Sequence, residues 1–161
     1  MRGAALPWLV LGAIAGSADA APPRLTEPAI RAFTQRQETA WNSRDVRAWA
    51  ATYAPAAVFV DQARNSQGGI TANGSRTLAE AAAQARRFFR RSKVRETSVV
   101  TRIEIAPDGR SARVFSRDTS RIETERRPAR VFCAESLETL ILDHGRILSA
   151  GQTDTAVRCP R

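Results

Sequence analysis

Histidine, lysine, tyrosine and methionine each occur once in these 161 residues, and cysteine occurs twice. Each scarcity excludes something. The lone His144 lies in Asp143-His144-Gly145, which reads as a turn, so a Ser-His-Asp or Cys-His arrangement lacks a base. There is no HExxH and no cysteine-histidine cluster with zinc-binding spacing. Gln67-Gly68-Gly69-Ile70 lacks the spacing of a phosphate-binding glycine loop. The expectation is therefore no metal and no cofactor. Long hydrophobic runs are missing too: the apolar stretch Ala4 to Ala15 falls short of the roughly 20 residues that span a bilayer. No repeat divides the chain, and its length suits a single domain over 26–158.

What is present begins with a leader. Arg2, the apolar run and the small-residue site Ala18-Asp19-Ala20 read as a signal peptide over 1–20, the alternative being an uncleaved anchor. The mature chain is then secreted or periplasmic, with no transmembrane segment left. Lysine and arginine total 25 against 16 aspartates and glutamates, a net charge of +9. Nearly all of this positive charge is arginine, and it reads as a solvated surface rather than a nucleic-acid interface. Cys133 and Cys159 in an oxidising compartment read as a disulfide; one buried thiol and one tail thiol is the other possibility.

Periodicity supplies the elements. Thr26-Glu27-Pro28 starts a helix, with a capping side chain and proline in the first turn, and Ile30, Phe33, Gln37 and Trp41 recur along one face. Asp45 caps a second helix whose buried stripe is Val46, Trp49, Ala50 and Tyr53, stopped by Pro55. Ala56 to Gln62 reads as a strand, and the glycine-rich Ala63 to Ser75 as a long loop with a small hairpin as an option. Thr77-Leu78-Ala79-Glu80 opens a third helix with a capping box. Arg86, Arg87, Arg90 and Arg91 take its solvent side.

From Val94 the period becomes two, and four strands follow. The segment 110–124 puts Ala112, Val114, Ser116, Asp118 and Ser120 on one side, a face that suits a ligand cavity; the alternative is Asp118 in water on an edge. The last hairpin turns at Asp143-His144-Gly145 as a three-residue loop. With Leu142 opposite Arg146, Glu135 faces Thr153 and Cys133 faces Thr155. That register keeps Cys159 away from Cys133, so a bond between them requires the tail to fold back. The predicted fold class is α+β, a cone-shaped roll with three N-terminal helices packed on a curved antiparallel sheet.

The stretch Ala40 to Gln62, AWNSRDVRAWAATYAPAAVFVDQ, resembles the SnoaL-like branch of the nuclear transport factor 2-like superfamily. The matching residues are Trp41, Asn42, Asp45, Tyr53, Ala54, Ala57, Val58, Phe59 and Asp61. That superfamily includes the ketosteroid isomerases, so the resemblance implies a catalytic set. Asp61 takes the place of the general base, and Glu135 falls near the acid of the oxyanion hole. Gln37 stands where those enzymes carry a tyrosine, and an amide donates less strongly than a phenol. Gln62 replaces a frequent proline. Trp41, Tyr53, Phe59 and Asp118 are the expected ligand-pocket wall.

Three functions fit these residues. The first is an exported domain that holds a small apolar or amphipathic ligand in the cone. The second is a cofactor-free isomerase, cyclase or dehydratase, with Asp61 as base and Glu135 or Asp118 as protonated donor, because an apolar cone drives two carboxyl pKa values apart. The third is an interaction module that dimerises through its sheet. The expected partners are a small molecule and a second copy of the chain, with no nucleic acid.

Overall fold

The computed structural model describes residues 23–125 and 127–160. The leader expected over 1–20 lies outside the described residues. Helix α1 (Glu27–Asn42) starts as its sequence predicts, with the Thr26 hydroxyl accepting from the Ala29 N–H and proline in the first turn. Its buried residues are Ile30, Phe33, Gln37 and Ala40. The chain then breaks at Arg44, which adopts φ 61°, and Asp45 caps α2 (Val46–Ala50) through the Ala48 N–H.

Helix α2 is shorter than its apolar stripe suggests. Tyr53 does not continue it but opens strand β1 (Tyr53–Arg64), because the Thr52 carbonyl is already bonded to the Ser149 N–H of the last strand. The glycine-rich segment is a hairpin: β2 (Ile70–Thr77) returns antiparallel along β1. Helix α3 (Leu78–Phe89) follows, with both halves of the Thr77–Glu80 capping box formed. Strands β3 (Lys93–Ile105), β4 (Ser111–Thr124), β5 (Arg127–Asp143) and β6 (Arg146–Val157) complete the chain.

All six strands form one curved open sheet in the order β2-β1-β6-β5-β4-β3. The α+β class and the curved sheet therefore hold, but two details are corrected. Strands dominate, and the expected three N-terminal helices are not found as such: two precede the first strand, and α3 lies between β2 and β3. The sheet is also mixed, since β1 runs parallel to β6. The two backbones come so close at Gly151 that a Cβ there would lie 2.4 Å from the Val58 carbonyl oxygen. Only glycine fits that crossing.

The final hairpin has a two-residue turn, not three. His144 (φ 45°) and Gly145 (φ 76°) both occupy the left-handed region that matches the strand twist, and Asp143 pairs with Arg146. A bulge between Thr139 and Leu140 shifts the ladder once more. Together they place Glu135 opposite Thr155 and Cys133 opposite Val157. Cys159 therefore needs no reversal of the tail to reach Cys133, and the disulfide forms with the Cα atoms 5.2 Å apart.

The interior divides in two along α1. At one end Ile30 and Phe33 pack with Leu25, Ala112, Val114, Leu140 and Leu142. At the other, Ala40 joins Trp49, Tyr53, Ala57, Phe59 and the alanines of α3.

Candidate functional site

The second end is not filled. Between the C-terminal half of α1, α3 and the inner sheet face lies a cavity of about 360 Å³. One wall is aromatic. Trp41 lies 5.4 Å from Trp49, which lies 4.9 Å from Tyr53, and Tyr53 lies 4.8 Å from Phe59, all between ring centroids. Phe88 of α3 stacks 6.5 Å from Trp41. Asn42 fixes this end of α1 to the sheet by exchanging two 2.8 Å hydrogen bonds with the backbone of Glu96.

The floor is polar, and strand alternation explains why. Side chains two apart share a face, so the face that carries Leu142 and Leu140 at the packed end carries Glu138 and Ser136 here. The same parity brings in Ser116 and Asp118 from β4 and Gln152 and Asp154 from β6. Asp118 Oδ1 accepts from Ser98 at 2.5 Å and from Ser116 at 3.0 Å. The Ser136 hydroxyl lies within hydrogen-bonding reach of both Asp118 Oδ2 and Asp154 Oδ1, the latter at 2.6 Å. A hydroxyl has one proton to donate, so the two carboxyls compete for it. Gln152 donates to Asp154 at 2.7 Å and accepts from the Tyr53 hydroxyl at 3.1 Å.

Burial sets the proton affinities. Desolvation pushes the Glu138 carboxyl up to about 7, against hydrogen bonds from Gln37 and Ser149 and with help from Asp154 and Asp118. Glu96 rises to about 7 for the same first reason, although Ser120 donates to it at 2.6 Å. Asp154 is raised by burial, and the Tyr53 phenol is raised well above its usual value, also by burial. Glu96, Glu138 and Asp154 are thus held toward their neutral forms.

The expected site residues separate into two groups. Gln37, Trp41, Tyr53, Phe59 and Asp118 line the cavity. Gln37 donates to Glu138 at 2.8 Å and to Thr52 at 3.2 Å, not to Glu135. Asp61 and Glu135 do not line it. Asp61 has both carboxylate oxygens engaged by Arg76, with one contact at 2.8 Å. Glu135 is exposed and pairs with Arg64 at 2.9 Å, because it occupies the opposite parity from Ser136 and Glu138. The residues that sequence reasoning passed over are Glu96, Ser136, Glu138, Gln152 and Asp154. Glu138 was findable: it shares the parity of Leu140 and Leu142, and a charge on a core face is the informative exception.

Among the described residues no group of three or more histidine, cysteine, aspartate or glutamate side chains is arranged to hold a metal ion. No helix among them is long and apolar enough to cross a membrane.

No protein-family model and no curated protein sequence matches the chain. Solved structures do. A conserved protein from Planctomyces limnophilus superposes with a TM-score of 0.67 at 14% identity, over 81% of this chain and 95% of the other. A ketosteroid isomerase-like protein from Erwinia carotovora atroseptica gives 0.63 at 16% identity, over 84% and 100%. ActVI-ORFA from Streptomyces coelicolor gives 0.60 at 18% identity, over 80% and 95%. Others are described as NTF-2-like or as having a cystatin-like fold. At these identities the likeness shows the fold, and the chain has the nuclear transport factor 2-like, cystatin-like fold that the Ala40–Gln62 stretch resembles.

Proposed function

We propose that this protein is an exported small-molecule-binding domain whose cone holds an amphipathic ligand. One observation carries the reading: a cavity of about 360 Å³ remains open in the fold, apolar on its Trp41–Trp49–Phe59 side and hydrogen-bonding on its sheet side. Such a space suits a ligand with an apolar body and one polar end. Titration with small aromatic and aliphatic compounds, followed by tryptophan fluorescence, tests it, since Trp41 and Trp49 report directly from the wall. Saturable changes that Gln37→Leu and Trp41→Ala weaken support the reading. A flat response across the panel would overturn it.

Export belongs to the same proposal and draws support from the Cys133–Cys159 disulfide, a bond of oxidising compartments. The mass of the mature protein tests it, with cleavage after Ala20 as the expected result. A homodimer through the outer sheet face draws support from the exposed Val58, Val99 and Val131, and light scattering in solution tests it.

A second reading is favoured by the Asp118–Ser136–Asp154 arrangement: cofactor-free proton transfer next to a carbonyl, as in an isomerase, cyclase or dehydratase. Here the proton-accepting group is a floor carboxylate, because Asp61 is held by Arg76 outside the lining. Turnover that survives Asp61→Asn but not Asp154→Asn supports this version. The reverse pattern restores Asp61 as base.

A further inference from the structure

The sheet side of the cavity has a surplus of acceptors, and the hydroxyl and amide donors of that floor are already engaged. The Ser98, Ser116 and Ser136 hydroxyls all bond to Asp118, and Ser120 bonds to Glu96. The Tyr53 hydroxyl and the Gln152 amide N–H are likewise taken. Two donors of lining residues, Trp41 Nε1 and Arg76 Nε, are buried without a partner. On the acceptor side, Gln37 is 8% exposed and lines the cavity. Its amide Nε2 donates to Glu138 and Thr52, while its Oε1 accepts from none of the described residues. An amide oxygen in the cavity lining with no protein donor is free to accept one from water or from a ligand.

Charge points the same way. The titratable groups facing the cavity come from every strand: Tyr53, Arg76, Glu96, Asp118, Glu138 and Asp154, with Glu38 from α1. The one cation among them, Arg76, has its guanidinium turned to Asp61. An anionic head placed on this floor would meet no free cation among the described residues and would be repelled by every carboxyl that ionises. A neutral donor would satisfy Gln37 and could bond to a carboxyl, but without the gain from opposite charge. A protonated amine supplies donors and the opposite charge at once.

We propose that the cone receives the protonated amine of an amphipathic ligand, the ammonium seated among Gln37 Oε1, Glu138 and Asp154 and the apolar body against Trp41 and Phe88. This rests on the ligand-binding reading and names its ligand class. Seating the cation favours the ionised carboxylates, so floor carboxyls that hold protons in the empty cone release them on binding. Amines keep their charge well above that range.

The test compares three probes with nearly the same body: 2-phenylethylamine, 2-phenylethanol and phenylacetate, titrated calorimetrically in buffers of different ionisation enthalpy. The amine is expected to bind about tenfold or more tighter than the other two, the worth of a charge-assisted hydrogen bond. It should also release protons, and its affinity should rise as pH rises through about 7, the value of Glu138. Glu138→Gln and Asp154→Asn should collapse the amine-to-alcohol ratio toward one, with circular dichroism confirming that each variant folds. If the alcohol or phenylacetate binds as well as the amine, the ligand class is wrong while the binding cone stands. A ratio unchanged in both variants also overturns the seat proposed here. If none of the three binds, the inference falls, and a flat tryptophan response across the wider panel takes the ligand reading with it.

Discussion

Helix α1 and strand β5 each pass from one end of the cone to the other, and they change character on the way. At the packed end α1 presents Ile30 and Phe33, and β5 presents Leu140 and Leu142; all are buried in an apolar cluster. A turn or two further on, α1 presents Gln37 and Trp41, and β5 presents Glu138 and Ser136, around an open cavity. The backbone geometry is continuous; only the side chains differ. One end holds the fold together by burying apolar area, and the other gives up packing for polar groups that burial makes costly unless they are bonded. The difference teaches where stability and function are separated in this protein.

That contrast can be broken at the packed end first. Leu140 is fully buried, so Leu140→Ala should cost about 3–5 kcal/mol of unfolding free energy by denaturant titration. A loss under about 1 kcal/mol would mean that this end is not the stabilising half.

The disulfide joins β5 to the chain just beyond β6 with a sequence separation of 26. In the chain-entropy model, replacing both cysteines by serine should cost about 3.5 kcal/mol, read as a fall in Tm. Hydrogen exchange should show the Cys133 end of β5 opening before the Leu140 end. Uniform opening would dissolve the contrast between the two ends.

Glu138 sharpens the comparison through pH. Its folded-state value of about 7 lies above the ordinary 4.5, so between these values the folded chain holds a proton that the unfolded chain has lost. Stability therefore falls as pH rises through that window and levels off above it. Glu138→Gln keeps an acceptor for Gln37 but removes the titration. The variant should exceed the parent by about 2–3 kcal/mol near pH 8 and match it near pH 4. A parent whose Tm is flat across the window would show that Glu138 is solvated and the floor is not buried.

The smallest effect belongs to Asp61. Its pair with Arg76 is about one-third exposed, so Asp61→Asn should change stability by less than about 1 kcal/mol and leave ligand affinity at the floor nearly unaltered. A large loss of affinity would move the site outward to the Arg76 layer.

Much of this was legible in the sequence. The Thr26 and Asp45 caps and the Thr77–Glu80 box are local, since each depends on hydrogen bonds three residues apart, and all three appear where their residues place them. The face of β4 with Ser116 and Asp118 was readable as a cavity wall from its small polar alternation. The last hairpin was not. One residue less in the turn and one bulge at Thr139/Leu140 change the partner of every residue beyond, and neither device has a strong local signature. The same parity decides that Glu135 meets Arg64 outside while Glu138 meets Gln37 inside.

The sequence by itself therefore determined the helix starts, the change from period 3.6 to period 2, and the resemblance carried by Trp41 to Asp61, because these rest on neighbours along the chain. Tertiary structure alone decided that β1 runs beside β6, how the strand register brings Cys159 to Cys133, and which acids share a cavity. Those outcomes depend on register between strands far apart in sequence. A shift of one residue there exchanges the inside of the cone for its outside.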